Sequence, residues 1–228
     1  MFRPVAQVRP ALESGSLADH RVFAAIYDRL LASAEKGGLR QMRSDLLREA
    51  RGRTLELGAG TGHNLDHYPA SVTELVLTEP DRFMATRLRR HVADAAPAPD
   101  AVEVVEAPAE QLPFDDRSFD TVVSTLVFCT VRDPERAASE VRRVLRPDGA
   151  LLYLEHVRSP HGSGLARWQD RVERPWGWFA GGCHPNRPTY ETLPEAGLEV
   201  KRLSWHTFPK SGMTPWVRPL ISGSASPG

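Results

Sequence analysis

The sequence has 228 residues, of which 41% are hydrophobic and 25% are charged, and this composition suits one globular domain rather than two. Lys plus Arg and Asp plus Glu each number 29, so no net charge attracts the chain to nucleic acid or to an anionic membrane. The two cysteines, Cys129 and Cys183, provide neither a disulfide framework nor the C-x-x-C spacing of a metal site.

These bounds give the first expectations about partners and location. We predict no metal site and no nucleic-acid partner. Neither a signal peptide nor an apolar segment of membrane-spanning length stands out, so we expect a cytoplasmic protein without stable membrane insertion. The sequence does not indicate an oligomeric state.

Two helices are predicted before the first strand. Residues 1–16 are rich in proline and small residues, and we expect a flexible lead-in there. From Leu17, apolar residues recur at helical spacing up to Gly37-Gly38, and a second set runs from residue 39 to residue 47. The glycine pair predicts a break between two amphipathic helices.

The stretch from Thr54 to Asn64 reads T-L-E-L-G-A-G-T-G-H-N, an apolar strand that runs directly into glycines. Glycines at the carboxyl end of a strand permit a tight turn and close approach to a ligand. Glu56 would repel a pyrophosphate, and His63 stands where G-x-G-x-x-G requires its third glycine. S-adenosyl-L-methionine (SAM) suits the loop better, because its two cations gain from a nearby carboxylate.

A second apolar strand, residues 75–78, ends in Glu79 and Pro80. The acid follows the glycines by about 20 residues, where a carboxylate that binds both ribose hydroxyls is expected. The two motifs together predict a nucleoside site. The loop E-L-G-A-G-T-G resembles the first motif of the class I SAM-dependent methyltransferases.

Residues 107–120 read A-P-A-E-Q-L-P-F-D-D-R-S-F-D and resemble the segment D-A-E-x-L-P-F-x-D-x-S-F-D of small-molecule methyltransferases. In those enzymes an acid caps the adenine amino group, and Pro108 occupies its position here. Proline offers neither a carboxylate nor a backbone N–H. We therefore expect adenine to be bound by the backbone of Ala109, by Glu110, or more loosely than usual.

The second half of the chain supplies the remaining strands. Residues 119–127 are nearly continuously apolar, as in a parallel strand buried on both faces. Asp133-Pro134 predicts the start of a helix. The run R-V-L-R-P-D-G-A-L, another signature of the superfamily, leads into a strand over residues 150–156, and residues 198–203 and 217–222 can form a closing antiparallel hairpin.

Strands that alternate with helices predict an α/β fold with a doubly wound, Rossmann-like sheet. We expect seven mostly parallel strands with an antiparallel last strand, and a ligand at the carboxyl ends of the strands. The prediction is a single SAM-dependent methyltransferase domain over residues 17–222. Within it, residues 17–50 would form a helical lid and residues 157–196 a cap over the substrate, and residues 223–228 would form a flexible tail.

The resemblance implies SAM as cofactor and S-adenosyl-L-homocysteine as product. Helices before the first strand cover the cofactor pocket in such enzymes, and Tyr27 is the candidate lid contact. The other candidates lie around the strand ends. The full set of candidate cofactor-binding residues is Tyr27, Glu56, Gly58, Ala59, Gly60, Asn64, Glu79, Pro80, Ala109, Glu110, Thr125 and Leu126.

Methyl transfer from a sulfonium is an in-line displacement, so catalysis consists mainly of holding the reacting atoms in line. If the acceptor is a thiol, with a pKa of about 8.5, a base near neutral pKa would help to form the thiolate. His156, after the fifth predicted strand, is the first candidate base, and Glu155 could orient it. His184 is the second candidate. A Cys183–His184 pair is a further option, although adjacent residues rarely face one another.

Within the superfamily the sequence most resembles the methyltransferase-like thiol S-methyltransferases of animals. The resemblance rests on S-T-L-V-F-C-T-V at residues 124–131, on Glu155-His156-Val157, on Gly182-Cys183 and on Val217-Arg218-Pro219. It implies S-methylation of small, lipophilic thiols. The amino-terminal membrane anchor of the animal proteins is not matched here.

Two alternatives stay open at this point. The segments around Pro113-Phe114 and Arg146-Pro147 are also similar to quinone-biosynthesis methyltransferases, which implies C- or O-methylation of a quinone, polyketide or phenol. The other alternative is a SAM-binding protein that transfers no methyl group, such as a sensor or a cyclisation scaffold.

Overall fold

A computed structural model describes residues 32, 34–95, 101–160, 163–208 and 215–228 of the chain. Seven strands form one sheet in the order β3-β2-β1-β4-β5-β7-β6. Strands β1 to β5 are parallel, whereas β7 runs antiparallel to both β5 and β6. The strands are β1 Gly52–Leu57, β2 Val72–Thr78, β3 Val102–Val105, β4 Phe119–Thr125, β5 Leu145–His156, β6 Leu198–Thr207 and β7 Pro219–Pro227. The predicted doubly wound, mostly parallel sheet is confirmed.

Five α-helices accompany the sheet in the described part of the chain. They are α1 Arg40–Leu47, α2 Arg82–Asp94, α3 Pro134–Val144, α4 Gly164–Phe179 and α5 Thr189–Glu195. A short π-helical turn over Glu35–Leu39 precedes α1. Gly38 within it has a non-helical φ of 127°, which confirms the predicted break. None of the described helices is long and apolar enough to cross a membrane.

The central strands are apolar on both faces because helices cover the sheet on both sides. Alternate residues of β2, β4 and β5 belong to different clusters of buried side chains. One cluster contains Val122 of β4 with the buried face of α3 and Leu193 of α5. The other contains Val123 with residues of α1 and Leu88 of α2. The sheet is thus fixed from both faces, and its carboxyl edge carries the loops.

Side-chain caps fix the starts of α2 and α3, and the start of α3 at Asp133-Pro134 was predicted. The Asp81 carboxylate accepts hydrogen bonds from the backbone of Phe83 and Met84 at the start of α2. Asp133 accepts from the N–H of Arg136 at the start of α3, directly before Pro134. Helix α4 was not predicted, since Pro175 lies inside it and its tryptophans gave no clear period.

The carboxyl-terminal prediction needs two corrections. Residues 215–217 form a short 3-10 turn rather than the start of a strand. The flexible tail expected at residues 223–228 is wrong, because β7 continues to Pro227 and pairs with β5 as far as Ala225 and with β6 as far as Pro227. Strand pairing on both sides outweighs the weak strand preference of S-G-S-A-S.

Strand β4 also ends earlier than predicted. The apolar run continues to Val127, but Leu126 takes a left-handed backbone conformation with φ 61° and turns the chain out of the sheet. Its N–H still donates to the carbonyl of Leu154 in β5 at 2.8 Å. The loop that follows β4 therefore begins at residue 126, at the carboxyl edge of the sheet. Tyr27, the proposed lid contact, lies outside the described residues.

Candidate active site

The glycine loop after β1 lies against the loop after β4. Gly58 has φ 51°, and a Cβ atom there would stand 3.1 Å from a methyl group of Val127. The N–H of Ala59 donates to the carbonyl of Thr78 at the end of β2, at 2.8 Å. The loop is therefore held between the ends of two strands, and its backbone borders the crevice at the carboxyl edge.

Glu79 connects the two motifs that the sequence analysis singled out. Its side chain is only 7% exposed. One carboxylate oxygen accepts from the N–H of Gly60 and the other from the N–H of Asp81, both at 2.9 Å. Burial raises the pKa of Glu79 to about 7. A carboxylate in this position can accept further hydrogen bonds from a diol.

Glu56 lies beneath the glycine loop. It is 2% exposed, and burial raises its pKa to about 7. Asn64 Nδ2 donates to Oε1 at 3.0 Å and Tyr68 Oη donates to Oε2 at 2.6 Å. Both oxygens of Glu56 thus have protein partners, and the carboxylate ties Asn64 and Tyr68 to the end of β1.

Arg43 of α1 joins this group, and the sequence analysis missed it. Its side chain is 4% exposed, and Nη1 donates to Asn64 Oδ1 at 3.1 Å and to Thr125 Oγ1 at 2.8 Å. Its Nε donates to Glu35 at 3.1 Å. Arg43 follows Leu39 by four residues and precedes Leu46 by three, so it belongs to the buried stripe of α1. A charged residue on an apolar stripe is the signal that would have found it.

The structure places Ala109 and Glu110 after β3, where adenine is expected. Ala109 is buried. One Glu110 carboxylate oxygen accepts from the N–H of Arg132 at 2.7 Å and of Asp133 at 3.3 Å, directly before α3. Glu110 therefore anchors the start of a helix. Its contact with adenine stays a prediction, as do the SAM contacts of the other candidates.

We expected Glu155 to orient His156, but its hydrogen bonds go to Ser124 in β4 and to the loop that follows β4. It is fully buried at the end of β5, and burial raises its pKa to about 7. Its Oε1 accepts from Ser124 Oγ at 2.6 Å and from the N–H of Val127 at 3.1 Å. Successive residues of a strand point to opposite faces, which explains why Glu155 and His156 have different surroundings.

Three residues from separate elements meet beside this loop: Cys129 after β4, His156 at the end of β5, and Cys183 between α4 and α5. Their two sulfur atoms and a ring nitrogen all lie within 4.8 Å of one another, and Cys183 Sγ lies 4.0 Å from His156 Nδ1. Both cysteines are buried and His156 is half-buried. We call these residues the Cys–His–Cys cluster.

The pKa values of the two cysteines shift in opposite directions. The hydrogen bond from the Cys129 thiol lowers the pKa of Cys183 well below its usual range, and nearby His156 acts in the same direction. The same hydrogen bond and burial raise the pKa of Cys129. Cys183 is therefore the sulfur of the cluster that more readily carries negative charge.

His184 faces away from this cluster. Its Nδ1 lies 2.6 Å from a carboxylate oxygen of Glu173 in α4, while its backbone N–H donates to the carbonyl of Cys129 at 2.7 Å. Cys183 and His184 thus have different partners. The structure brings Cys183 to His156, which the sequence analysis did not pair, and adds Cys129, which it did not propose as a site residue.

Comparisons with known proteins show which family the chain belongs to. A sequence model of the family described as "Methyltransferase domain" matches residues 55–153. Human thiol S-methyltransferase TMT1B is 37% identical over 172 residues, which cover 75% of this chain and 69% of the relative. Human thiol S-methyltransferase TMT1A is 30% identical over 205 residues, covering 89% and 82%.

Two further matches are weaker, one because it covers less of the chain and the other because its identity is lower. A demethylmenaquinone methyltransferase of Clavibacter sepedonicus is 36% identical over 108 residues, which cover 47% of this chain and 42% of the relative. The solved structure of a geranyl diphosphate methyltransferase in complex with SAM superposes with a TM-score of 0.67 at 13% identity, covering 96% of this chain and 94% of that one. At this identity the superposition concerns the fold.

The chain therefore belongs to the SAM-dependent methyltransferase family. SAM is its cofactor, and the predicted enzyme class, cofactor and family likenesses are confirmed. Its relatives include thiol S-methyltransferases and a quinone-biosynthesis enzyme, as the sequence motifs indicated.

Proposed function

We propose that this enzyme transfers the methyl group of SAM to the sulfur of a small, lipophilic thiol. The observation that carries the proposal is the likeness to the two human thiol S-methyltransferases, which in TMT1A extends over 89% of the chain and so includes the segments beyond the cofactor motifs. Those segments contain Cys183 and pack it against His156.

The Cys–His–Cys cluster supports a thiol acceptor on chemical grounds. It lies at the end of β5 and beside the loop after β4, whose Val127 contacts the glycine loop. Its neighbours Val127, Phe128 and Val157 are buried apolar residues. A thiolate and a sulfonium lose their charges as they react, and a dry surrounding favours that loss.

His156 is the group in this cluster that can take up the proton of an acceptor thiol. Its ring is half-buried and therefore reachable, and the sulfur atoms beside it belong to buried side chains. Proton transfer by a positioned base contributes about 100-fold or more to rate. Glu79 and the glycine loop would hold the donor, so the two halves of the reaction use different residues.

The test is methyl transfer from labelled SAM to matched acceptors. Thiophenol and phenol have the same ring and differ only in the accepting atom, and a quinone probes carbon. We expect S-methyl thiophenol as the product, identified by mass spectrometry. Methylation of phenol or quinone without methylation of any thiol would favour the O- or C-methylation alternative, and tight SAM binding without turnover would favour a non-catalytic scaffold.

Replacing the proposed base gives a second prediction. His156→Ala should leave SAM affinity unchanged and slow thiol methylation at pH 7 by about 100-fold. With a cysteine-like acceptor thiol, whose pKa is about 8.5, the deficit should shrink above that pKa because the thiolate then forms unaided. We expect a smaller loss from His184→Ala, since that ring faces Glu173. An unchanged rate in His156→Ala would remove this residue from the reaction.

A further inference from the structure

The Cys–His–Cys cluster has the composition of a metal site. Two thiols and an imidazole are the ligands that thiophilic divalent cations prefer. Cysteine spacing predicted no metal site, because the three ligands come from three distant parts of the chain. Among the described residues, the fold brings them together with Sγ, Sγ and a ring nitrogen within 4.8 Å of one another.

The separations between these three ligand atoms are close to those between the ligands of tetrahedral zinc. Zn–S bonds of about 2.3 Å and Zn–N bonds of about 2.0 Å place tetrahedral ligand atoms roughly 3.5 to 3.8 Å apart. Cys183 Sγ and His156 Nδ1 are 4.0 Å apart. Contraction of this pair by about half an ångström, and of the other two pairs by at most about 1 Å, would give the spacing of tetrahedral ligands.

The segments that carry the two cysteines are fixed to each other. The backbone N–H of His184, next to Cys183, donates to the carbonyl of Cys129 at 2.7 Å. Glu155 holds the loop of Cys129 through the N–H of Val127 at 3.1 Å. Ligands held by backbone bonds on neighbouring elements are pre-organised, which a metal site requires.

We propose that Cys129, His156 and Cys183 bind Zn²⁺ and that the sulfur of the acceptor thiol is its fourth ligand. Structural zinc sites have four protein ligands, whereas catalytic sites have three and leave one position open. Two cysteine thiolates neutralise the dication. A third thiolate adds one negative charge, which the guanidinium of Arg187 can compensate, since its Nη1 donates to the carbonyl of Phe128, next to Cys129, at 2.7 Å.

The assignment of the acceptor thiol as the fourth ligand rests on the proposed function. The acceptor R–SH would release its proton to solvent as its sulfur binds zinc. A lone pair of that sulfur would then form the bond to the methyl carbon while the carbon–sulfonium bond of SAM breaks, giving R–S–CH₃ and S-adenosyl-L-homocysteine. In the zinc-bound enzyme His156 would act as a ligand in place of the base role proposed above, so the rate deficit of His156→Ala would then not shrink at high pH.

The experiment uses Co²⁺ as a spectroscopic substitute for zinc. The reduced, chelator-treated full-length protein is titrated with Co²⁺ without oxygen and then with Zn²⁺. We expect one ion per chain, a thiolate-to-cobalt charge-transfer band, the visible bands of tetrahedral cobalt, and displacement by zinc. The chain has only two cysteines, so the thiolate band reports on Cys129 and Cys183 alone.

Variants assign the ligands. Cys129→Ser, Cys183→Ser and His156→Ala should each weaken zinc binding by at least the roughly 10- to 100-fold that loss of an outer-shell partner costs at other sites. His184→Ala is the matched control, because it is adjacent to Cys183 and faces Glu173. Circular dichroism and SAM binding show that each variant is folded. Absence of stoichiometric binding, or full affinity in both serine variants, would overturn the site.

Two further readouts separate this inference from the proposed function. Addition of thiophenol with S-adenosyl-L-homocysteine should change the cobalt spectrum, and an unchanged spectrum would overturn the fourth-ligand assignment. Equal thiol methylation by metal-free and zinc-loaded protein would overturn the role of zinc and leave S-methylation standing. Zinc binding without methylation of any thiol would instead overturn the proposed function and leave the site standing.

Discussion

Three buried carboxylates surround the site, and each has a pKa of about 7 because burial disfavours its charge. They are Glu56, Glu79 and Glu155. A folded pKa above the unfolded value of about 4.5 means that the native state holds protons that the unfolded chain has lost. The stability contributed by these groups is present below pH 4.5 and is lost as pH rises through about 7. We therefore expect cofactor binding near neutral pH to be coupled to protonation of these carboxylates.

Glu79 gives the first prediction at this scale. An ionised Glu79 in the predicted ribose site would accept hydrogen bonds from the ribose hydroxyls and attract the cations of SAM, so SAM should bind more tightly at pH 8 than at pH 6. Glu79→Gln should weaken binding at pH 8 by about 1–3 kcal/mol and flatten the pH dependence. Titration calorimetry at pH 6 and pH 8 measures the affinity and its pH dependence. Glu103→Gln, at an exposed position of β3, is the control. Unchanged affinity in Glu79→Gln would remove this residue from the cofactor site.

Tyr68 gives the second prediction. Its hydroxyl donates to Glu56 at 2.6 Å, and both side chains are buried. Tyr68→Phe should lower the free energy of unfolding by about 1–3 kcal/mol, and by more at pH 8 than at pH 5, because the bond favours the ionised carboxylate. Urea unfolding at both pH values measures the loss.

Tyr153→Phe is the matched control for Tyr68→Phe. Tyr153 is also buried, but its hydroxyl donates to the neutral backbone carbonyl of Arg202 at 2.8 Å. Its loss should therefore be the same at pH 5 and pH 8. If Tyr68→Phe also showed no pH dependence, the carboxylate of Glu56 would not be the group that the phenol stabilises.

At the scale of elements, β7 depends on close contact between two backbones. A Cβ atom at Gly223 would lie 1.9 Å from the carbonyl oxygen of Arg202 in β6. Gly223→Ala should therefore destabilise the protein by about 3 kcal/mol or more, since backbone cannot yield as a side chain can. Gly164→Ala at the start of α4 is the control, because a Cβ atom there meets only Arg167 Nη2 at 4.0 Å. Equal unfolding midpoints for the two variants would contradict this pairing.

The elements also show which features the sequence could predict. The strands β1, β2 and β4 were predictable because buried parallel strands are continuously apolar and because Glu56 and Glu79 interrupt that pattern near the strand ends. The end of β7 was not, since its residues 222–227 are small and polar and are held by pairing on both sides.

The cofactor side of the site could be predicted from the sequence, whereas the Cys–His–Cys cluster could not. The glycine loop and Glu79 are local motifs with fixed spacing, and the structure joins them by a hydrogen bond. Cys129, His156 and Cys183 share no motif, and only the parallel order of β4 and β5 and the return of the chain after α4 place them together. Contacts between distant segments are set by the tertiary structure and not by local pattern.

At the scale of the whole molecule, the carboxyl edge of the sheet gathers loops from both halves of the chain, so a ligand bound there connects them. SAM at 100 times its dissociation constant should stabilise the protein by about 2.7 kcal/mol. Differential scanning fluorimetry should show a rise in Tm with SAM and none with a nicotinamide dinucleotide. Stabilisation by the dinucleotide but not by SAM would contradict the cofactor assignment.

The order of strands has a consequence for how this protein is made. In the sheet, β6 pairs only with β7, which also covers the outer side of β5. A ribosome releases β6 before β7, so in the nascent chain the outer edge of β5 and both edges of β6 stay unpaired until residues 219–227 emerge. Open edges are templates for pairing between chains. Stalled or prematurely terminated chains should therefore be the species of this protein that aggregate and that chaperones bind.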